Sequence, residues 1–278
     1  MAGMTVPSLN ERSRGAARGF NGESRRRVPA AFPALEIGTM GSAAHVAHAI
    51  GRVIGRALPQ TCALCAERCG DAVLCAPCMN ALPALPPACP RCARPSPGSA
   101  VCGTCLKRPP KFAATLAACS YAFPLDRLVQ ALKYDNRLAL AEPLGDALAA
   151  AVLRAPASYP RPDALIAVPL AAARQRSRGF NQSIEIARVV ARRTALPLVF
   201  GLERVGDAPA QASLPWTQRR RNVRGAFACR LWFAGRHLAL IDDVMTTGAT
   251  LEEAAKALLQ SGAARVDAWV DARTAPPN

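Results

Sequence analysis

The residues best suited to chemistry sit in one short run. Asp242 and Asp243 close an apolar stretch, 238–241, and Val244, Met245, Thr246, Thr247, Gly248, Ala249 and Thr250 follow directly. Leu238, Ala239, Leu240 and Ile241 predict a buried strand that ends at the two acids. Beyond Thr250, the residues Leu251, Ala254, Ala255, Leu258 and Leu259 share one face of a helix expected over 251–261. Thr250 and Glu253 have the spacing of a capping box, which would start the helix at Thr250. A strand, a short turn and a helix N-terminus aim loop amides, hydroxyls and the positive end of the helix dipole at one spot, an anion site. Gly248 would let the backbone approach a phosphate more closely than a residue bearing a Cβ. Two carboxylates would repel that phosphate, so they are expected to face hydroxyls or a metal ion. A ribose 5-phosphate satisfies both halves, with its phosphate in the loop and its 2′- and 3′-hydroxyls on the acids.

This run resembles, position for position, the phosphoribosyl pyrophosphate (PRPP) signature of type I phosphoribosyltransferases. That signature has four apolar residues, two acids, two apolar residues, then Thr-Thr-Gly-Ala-Thr. The resemblance implies PRPP binding by Asp242, Asp243, Thr246, Thr247, Gly248, Ala249 and Thr250, with Mg²⁺ accompanying the diphosphate.

A second constellation is made of cysteines. Cys62 and Cys65, Cys75 and Cys78, Cys89 and Cys92, and Cys102 and Cys105 form four CxxC pairs. A two-residue gap places both thiolates of a pair on adjacent corners of one tetrahedron, about 2.3 Å from a Zn²⁺ ion. Eight thiolates fill two closed Cys₄ sites, which are structural because no coordination position stays open. Disulfides are the competing use, and the absence of a signal-peptide pattern at the start favours zinc. Sequential pairing would make a double zinc ribbon and interleaved pairing a cross-brace; the short gaps within each half favour ribbons. Cys69 is a spare ligand or a bystander, while Cys119 and Cys229 are expected to pack as small hydrophobes.

The elements that must position these groups follow from the rest of the chain. Its 278 residues suffice for one substantial α/β domain and a smaller module, and 51% hydrophobic with 5% aromatic residues gives a core of Ala, Leu and Val. The net charge of +16 suits polyanionic partners, or reflects a GC-rich coding bias, since nearly all the basic residues are Arg. No apolar run has the length of a transmembrane helix, so a cytoplasmic protein is expected. Residues 1–42 read either as a disordered tail or as a mis-annotated one, the natural start in the second case lying near Met40, and 43–58 as a helix carrying His45 and His48. Residues 59–111 hold the cysteine module and 112–274 the α/β domain. Within the latter, strands are expected at 116–122, 164–169, 198–202, 238–241 and 266–270, with helices at 124–134, at 138–153 with an interruption at Pro143, and at 184–194. Residues 174–183 read as a loop. Lys133 and Tyr134 face either the ligand cleft or solvent. Strand and helix alternate as in a doubly wound parallel sheet, so the loops after Val168 and Ile241 should meet across one crevice.

The order of further motifs carries a second resemblance. CxxC pairs, Phe-Pro-Leu-Asp-Arg-Leu (123–128), Arg-Gly-Phe-Asn-Gln (178–182), Gln-Arg-Arg-Arg-Asn-Val-Arg-Gly-Ala-Phe (218–227) and the PRPP signature follow one another. That succession resembles the ComF/GntX family of bacterial proteins. The resemblance implies a type I phosphoribosyltransferase-like α/β sheet behind an N-terminal zinc-ribbon module. It also implies a role with single-stranded DNA in natural transformation or DNA utilisation. By position in such a fold, Arg174 belongs to a pyrophosphate loop, and Arg219, Arg220 and Arg221 to a flexible loop that either closes on the diphosphate or tracks a DNA backbone. Trp216 and Phe227 bracket that cluster as candidate stacking surfaces for bases. A base-recognising hood would have to come from 112–160 or the zinc module, because only a few residues follow the last strand. Two other readings remain: an active Mg²⁺-dependent phosphoribosyltransferase of unknown acceptor, and a zinc-ribbon scaffold for a partner of the DNA-uptake machinery.

Overall fold

The computed structural model describes residues 60–205 and 223–275, with the backbone of Arg26–Arg27. The expectations for the tail, for the helix at 43–58, and for Trp216, Arg219, Arg220 and Arg221 lie outside the described residues.

The long apolar runs form a four-stranded parallel sheet. Its strands are β1 (Thr115–Ser120), β2 (Ala164–Ala167), β5 (His237–Met245) and β6 (Arg265–Arg273), in the order β1-β6-β5-β2. All four residues of β2 are buried, as is nearly all of β5 and β6, because helices cover both sheet faces. One core gathers Ile166, Leu240, Ala268 and Val270 beneath helix α7 (Ala249–Gln260). The other gathers Leu165, Ile241 and Trp269 beneath α3 (Leu125–Tyr134), α4 (Ala141–Leu153) and α6 (Gln182–Thr194). Asp267, buried on β6, is satisfied by Tyr159, His237 and Arg265 at 2.7, 3.0 and 2.9 Å.

The cysteine module contains two five-residue helices, α1 (Ala76–Asn80) and α2 (Gly103–Lys107), and lies along the edge of β1. Thr115 N–H donates to the Pro90 carbonyl at 2.9 Å, Ser120 N–H to Pro83 at 2.9 Å, and the Ser120 hydroxyl to Ala84 at 3.0 Å. An edge that would otherwise expose unpaired amides is thereby covered.

Four sequence expectations need correction. β5 does not stop before the acids: β6 runs beside it as far as the Met245–Arg273 pair, so Asp242 and Asp243 lie within the ladder. The expected strand at 198–202 is reduced to a bridge between Leu198 and Leu165. The chain then enters β3 (Leu202–Arg204), antiparallel to β4 (Phe227–Cys229), and this pair roots the segment 206–222. The expected loop 174–183 is partly helical: α5 (Ala172–Arg178) closes on left-handed Gly179, and α6 starts where the Asn181 side chain accepts from Ser183 N–H. Pro143 does not interrupt α4, because it sits in the first turn, where its missing N–H has no helical partner to lose.

Candidate functional site

The loop after β5 is built around one backbone conformation. Gly248 has φ of +81° and begins α7, and its carbonyl accepts from Glu252 N–H at 2.8 Å. A Cβ there would stand 2.7 Å from the Met245 methyl and 3.7 Å from the Phe112 ring. The capping box is therefore not formed. Thr247 Oγ1 accepts from Ala249 N–H at 3.1 Å, and Thr250 is already helical. Glu253 instead accepts from Gly225 N–H at 2.9 Å, which ties the C-terminal root of the 206–222 segment to α7. Thr246 is exposed, Thr247 and Thr250 are half-buried, and Gly248 and Ala249 are buried.

The two acids have different partners. Asp242 accepts from the Ser183 hydroxyl at 2.9 Å, which joins the C-terminal part of β5 to the start of α6. Asp243 is buried and pairs with Lys133 Nζ at 2.8 Å, which draws Lys133 inward while Tyr134 stays exposed. Burial, then the charge of Asp243, push the Asp242 carboxyl up to about 7. Burial disfavours the Lys133 ammonium, but Asp243 more than offsets this and holds it above its ordinary value. Asp271 is buried on β6 with neither oxygen hydrogen-bonded among the described residues; burial and the charges of Asp243 and Asp242 raise it well above the carboxylate range.

Arginines line the neighbouring elements. Arg174 and Arg176 are exposed on α5, and Arg178 stacks its guanidinium 5.1 Å from the Tyr134 ring centroid. Arg204 on β3 lies over the Phe227 ring at 5.5 Å, and its buried Nε has no partner among the described residues. Burial, then the like charge of Arg174, pull Arg204 below its ordinary value, while Asp242 opposes them. Phe227 is itself buried, so it cannot serve as a stacking surface for bases.

The cysteines pair sequentially. Cys62, Cys65, Cys75 and Cys78 bring their sulfurs within 4.8 Å of one another, as do Cys89, Cys92, Cys102 and Cys105. The Cys65–Cys75 and Cys92–Cys102 separations are 3.7 and 3.6 Å. A tetrahedron with Zn–S bonds of about 2.3 Å has edges of about 3.8 Å, so both quartets fit zinc. The ribbons repeat one another: Cys75 N–H donates to Cys62 Sγ at 3.4 Å and Cys102 N–H to Cys89 Sγ at 3.3 Å. Burial raises both acceptor thiols, but backbone donors more than offset it and bring Cys62 to about 6 and Cys89 to about 7. Both quartets are structural zinc sites. Cys69 stands aside, with its thiol on the Ala72 carbonyl at 3.0 Å, and Cys119 and Cys229 are packed in the core.

The second ribbon is joined to the loop by a residue the motifs do not flag. Arg273, at the end of β6, is 3% exposed. Its guanidinium donates to the carbonyls of Cys92 at 2.8 Å, Met245 at 2.7 Å, Thr246 at 2.6 Å and Thr274 at 3.0 Å. One side chain thus connects a zinc ligand to the first residues of the Thr-Gly loop. Ser183, Arg204 and Arg273 all escape motif reading. For Arg273 the available signal was the charge at 265, 267, 271 and 273 in a strand whose other residues are all apolar, since buried charges occur only where something pairs or neutralises them.

Comparison with known proteins agrees with this layout. A family model described as a double zinc ribbon domain matches residues 53–106. The DNA utilization protein YhgH of Escherichia coli O157:H7 is 37% identical over 172 residues, 60% of this chain and 75% of that protein. Competence protein F of Haemophilus influenzae is 34% identical over 159 residues, 55% of this chain and 69% of its own length. Among solved structures, the glutamine PRPP amidotransferase of B. subtilis aligns with a TM-score of 0.31 and 21% identity, over 47% of this chain and 25% of the other. At that score the likeness adds nothing to the sheet order already described.

Proposed function

The chain belongs to the ComF family, and from that premise we propose that it binds PRPP at the loop after β5 and handles single-stranded DNA in natural transformation or DNA utilisation. The observation that carries the ribose-phosphate half is the left-handed Gly248 turn opening α7 beside the Ser183-bound Asp242. Thr246, Thr247 and the amides of Gly248, Ala249 and Thr250 would hold the 5-phosphate. Asp242 would accept from the ribose hydroxyls, while Asp243 keeps Lys133 in place. Arg174 and Arg204 would face the diphosphate with Mg²⁺, and Arg219, Arg220 and Arg221 belong to the segment that would close over it or follow DNA. In this reading residues 59–111 form the zinc module and 112–274 the phosphoribosyltransferase-like domain of a cytoplasmic protein. Among the described residues no helix is long and apolar enough to cross a membrane. The DNA half is supported by the names of the relatives and by the net charge of +16. Proteins of the DNA-uptake machinery are the partners such a role would need.

Titration calorimetry with Mg²⁺ and PRPP tests the site. Binding that is lost in Asp242→Asn and in Thr247→Ala supports it, and no heat with the folded, zinc-loaded wild type refutes it.

A second reading, an active transferase, has one observation in its favour. A carboxyl brought to about 7 can take a proton from an acceptor at neutral pH. Mg²⁺-dependent release of pyrophosphate with some acceptor would establish it, and silence across a broad acceptor panel would reject it.

A further inference from the structure

Tyr134 is an exposed aromatic with no packing role. Its ring is 71% exposed, and its hydroxyl makes no hydrogen bond among the described residues. The Arg178 guanidinium lies over one face, 5.1 Å from the ring centroid, so the opposite face is the one a ligand would use. Two adjoining contacts hold the ring in place. Lys133, the preceding residue, is anchored to Asp243 at 2.8 Å. Arg178 donates to Gln182 Oε1 at 2.9 Å, and Ser183, the next residue, donates to Asp242 at 2.9 Å. The stack is thus linked on both sides to the acid pair.

The charge around the ring has one dominant sign. Arg174 and Arg176 stand exposed on α5, and that helix contains no acid. Asp135 follows Tyr134 and Arg137 lies two residues further, so the end of α3 is close to neutral and the ridge is set by α5. An exposed ring backed by Arg178, with Arg174 one turn earlier on the same face of α5 and Arg176 exposed between them in sequence, has the chemistry that holds an unpaired base and its backbone phosphates.

We propose that the open face of Tyr134 is a stacking platform for an unpaired nucleobase, with Arg174 and Arg176 following the attached phosphates. The platform deepens the reading of the loop after β5 as a ribose-phosphate site, on which it rests only for placing the base next to the sugar. The base can belong to a DNA strand or to a free nucleoside.

A single-stranded oligonucleotide carrying 2-aminopurine reports stacking by loss of emission. The zinc-loaded full chain should quench it, Tyr134→Phe should keep the quench, and Tyr134→Leu should abolish it. Affinity in the Leu variant should fall roughly five- to 150-fold, the loss of one base–aromatic stack. Wild-type quench and affinity in Tyr134→Leu would overturn the proposal. The free 2-aminopurine riboside distinguishes the sources: quench with both ligands assigns the base alone, and quench with the strand only assigns a site that also needs phosphates. In the latter case Arg174→Ala and Arg176→Ala should each lower the slope of log affinity against log salt by about 0.7. A separate wild-type titration with PRPP keeps the two readings apart. Quench without PRPP binding removes the ribose-phosphate reading and leaves the platform, whereas PRPP binding without quench does the reverse.

Discussion

Replacing Arg273 by Met tests whether the second zinc ribbon and the Thr-Gly loop are one mechanical unit. Methionine keeps the length and apolar bulk and removes every donor. The carbonyls of Cys92 and Thr246, now met at 2.8 and 2.6 Å, would lose their partner, and that of Met245, met at 2.7 Å, would keep only the Thr274 N–H at 3.2 Å. A hydrogen bond from a charged donor contributes about 1.5–3 kcal/mol, so two bonds to buried carbonyls correspond to about 3–6 kcal/mol. Burial disfavours the guanidinium itself and brings it down to about 10, which offsets part of that gain. The net loss should then fall in the lower half, about 3–4 kcal/mol. Against a total stability of about 5–15 kcal/mol this is a large fraction. Urea unfolding of the zinc-loaded protein measures the loss, and a colorimetric chelator measures zinc release. One of the two zinc ions should leave faster in the variant, because the Cys92 carbonyl is no longer held, while the first ribbon keeps its rate. Arg273→Lys should recover part of the stability, since one ammonium cannot reach all the carbonyls. A stability change below about 1 kcal/mol with both zinc rates unaltered would refute the coupling.

Asp242 should give two opposite pH slopes. Its folded carboxyl titrates at about 7, whereas the unfolded one titrates at about 4. The folded state therefore binds the extra proton in between, and stability should fall as pH rises from about 4 to about 7. Binding of Mg²⁺ with PRPP should instead strengthen through pH 7 as Asp242 ionises, and Asp242→Asn should flatten both slopes in unfolding and calorimetry series. Lys133→Met should cost about 3–5 kcal/mol in urea unfolding, because Asp243 is left buried without its partner. A loss below about 1 kcal/mol would reject the ion-pair account. Finally, Cys102→Ser should destabilise the whole chain, whereas Cys75→Ser, at the same position of the repeat, should loosen mainly the first ribbon. Cys89, Cys92 and Cys105 are all buried in the core of Phe112 and α7, whereas of the first quartet only Cys62 is buried, in the core of Trp269, and Cys65 is exposed. Equal unfolding midpoints for the two variants would contradict this.

Much of the molecule was legible because its signals are local. The pairing of cysteines follows from short gaps, since two residues between thiols fit one tetrahedron. The parallel sheet follows from apolar runs alternating with amphipathic ones, and the strand–turn–helix at 238–260 from Gly248 between an apolar run and an amphipathic one. Where local rules competed with pairing, pairing won. β5 passes through Asp242 and Asp243 because β6 offers partners that far, and Gly248 displaces Thr250 as the helix start because it adopts a positive φ at little cost. The division of the two acids, one bound to Ser183 and one to Lys133, was decided 59 residues away in the first case and by another helix in the second. Arg273 reaches Cys92 across 181 residues, and no spacing rule spans that distance. Residue types and short intervals therefore determined which reactive groups this chain carries, while the tertiary structure decided which charges are paired, which are buried and which ring is exposed. Those outcomes depend on burial and on neighbours brought together only when the sheet and the ribbons close.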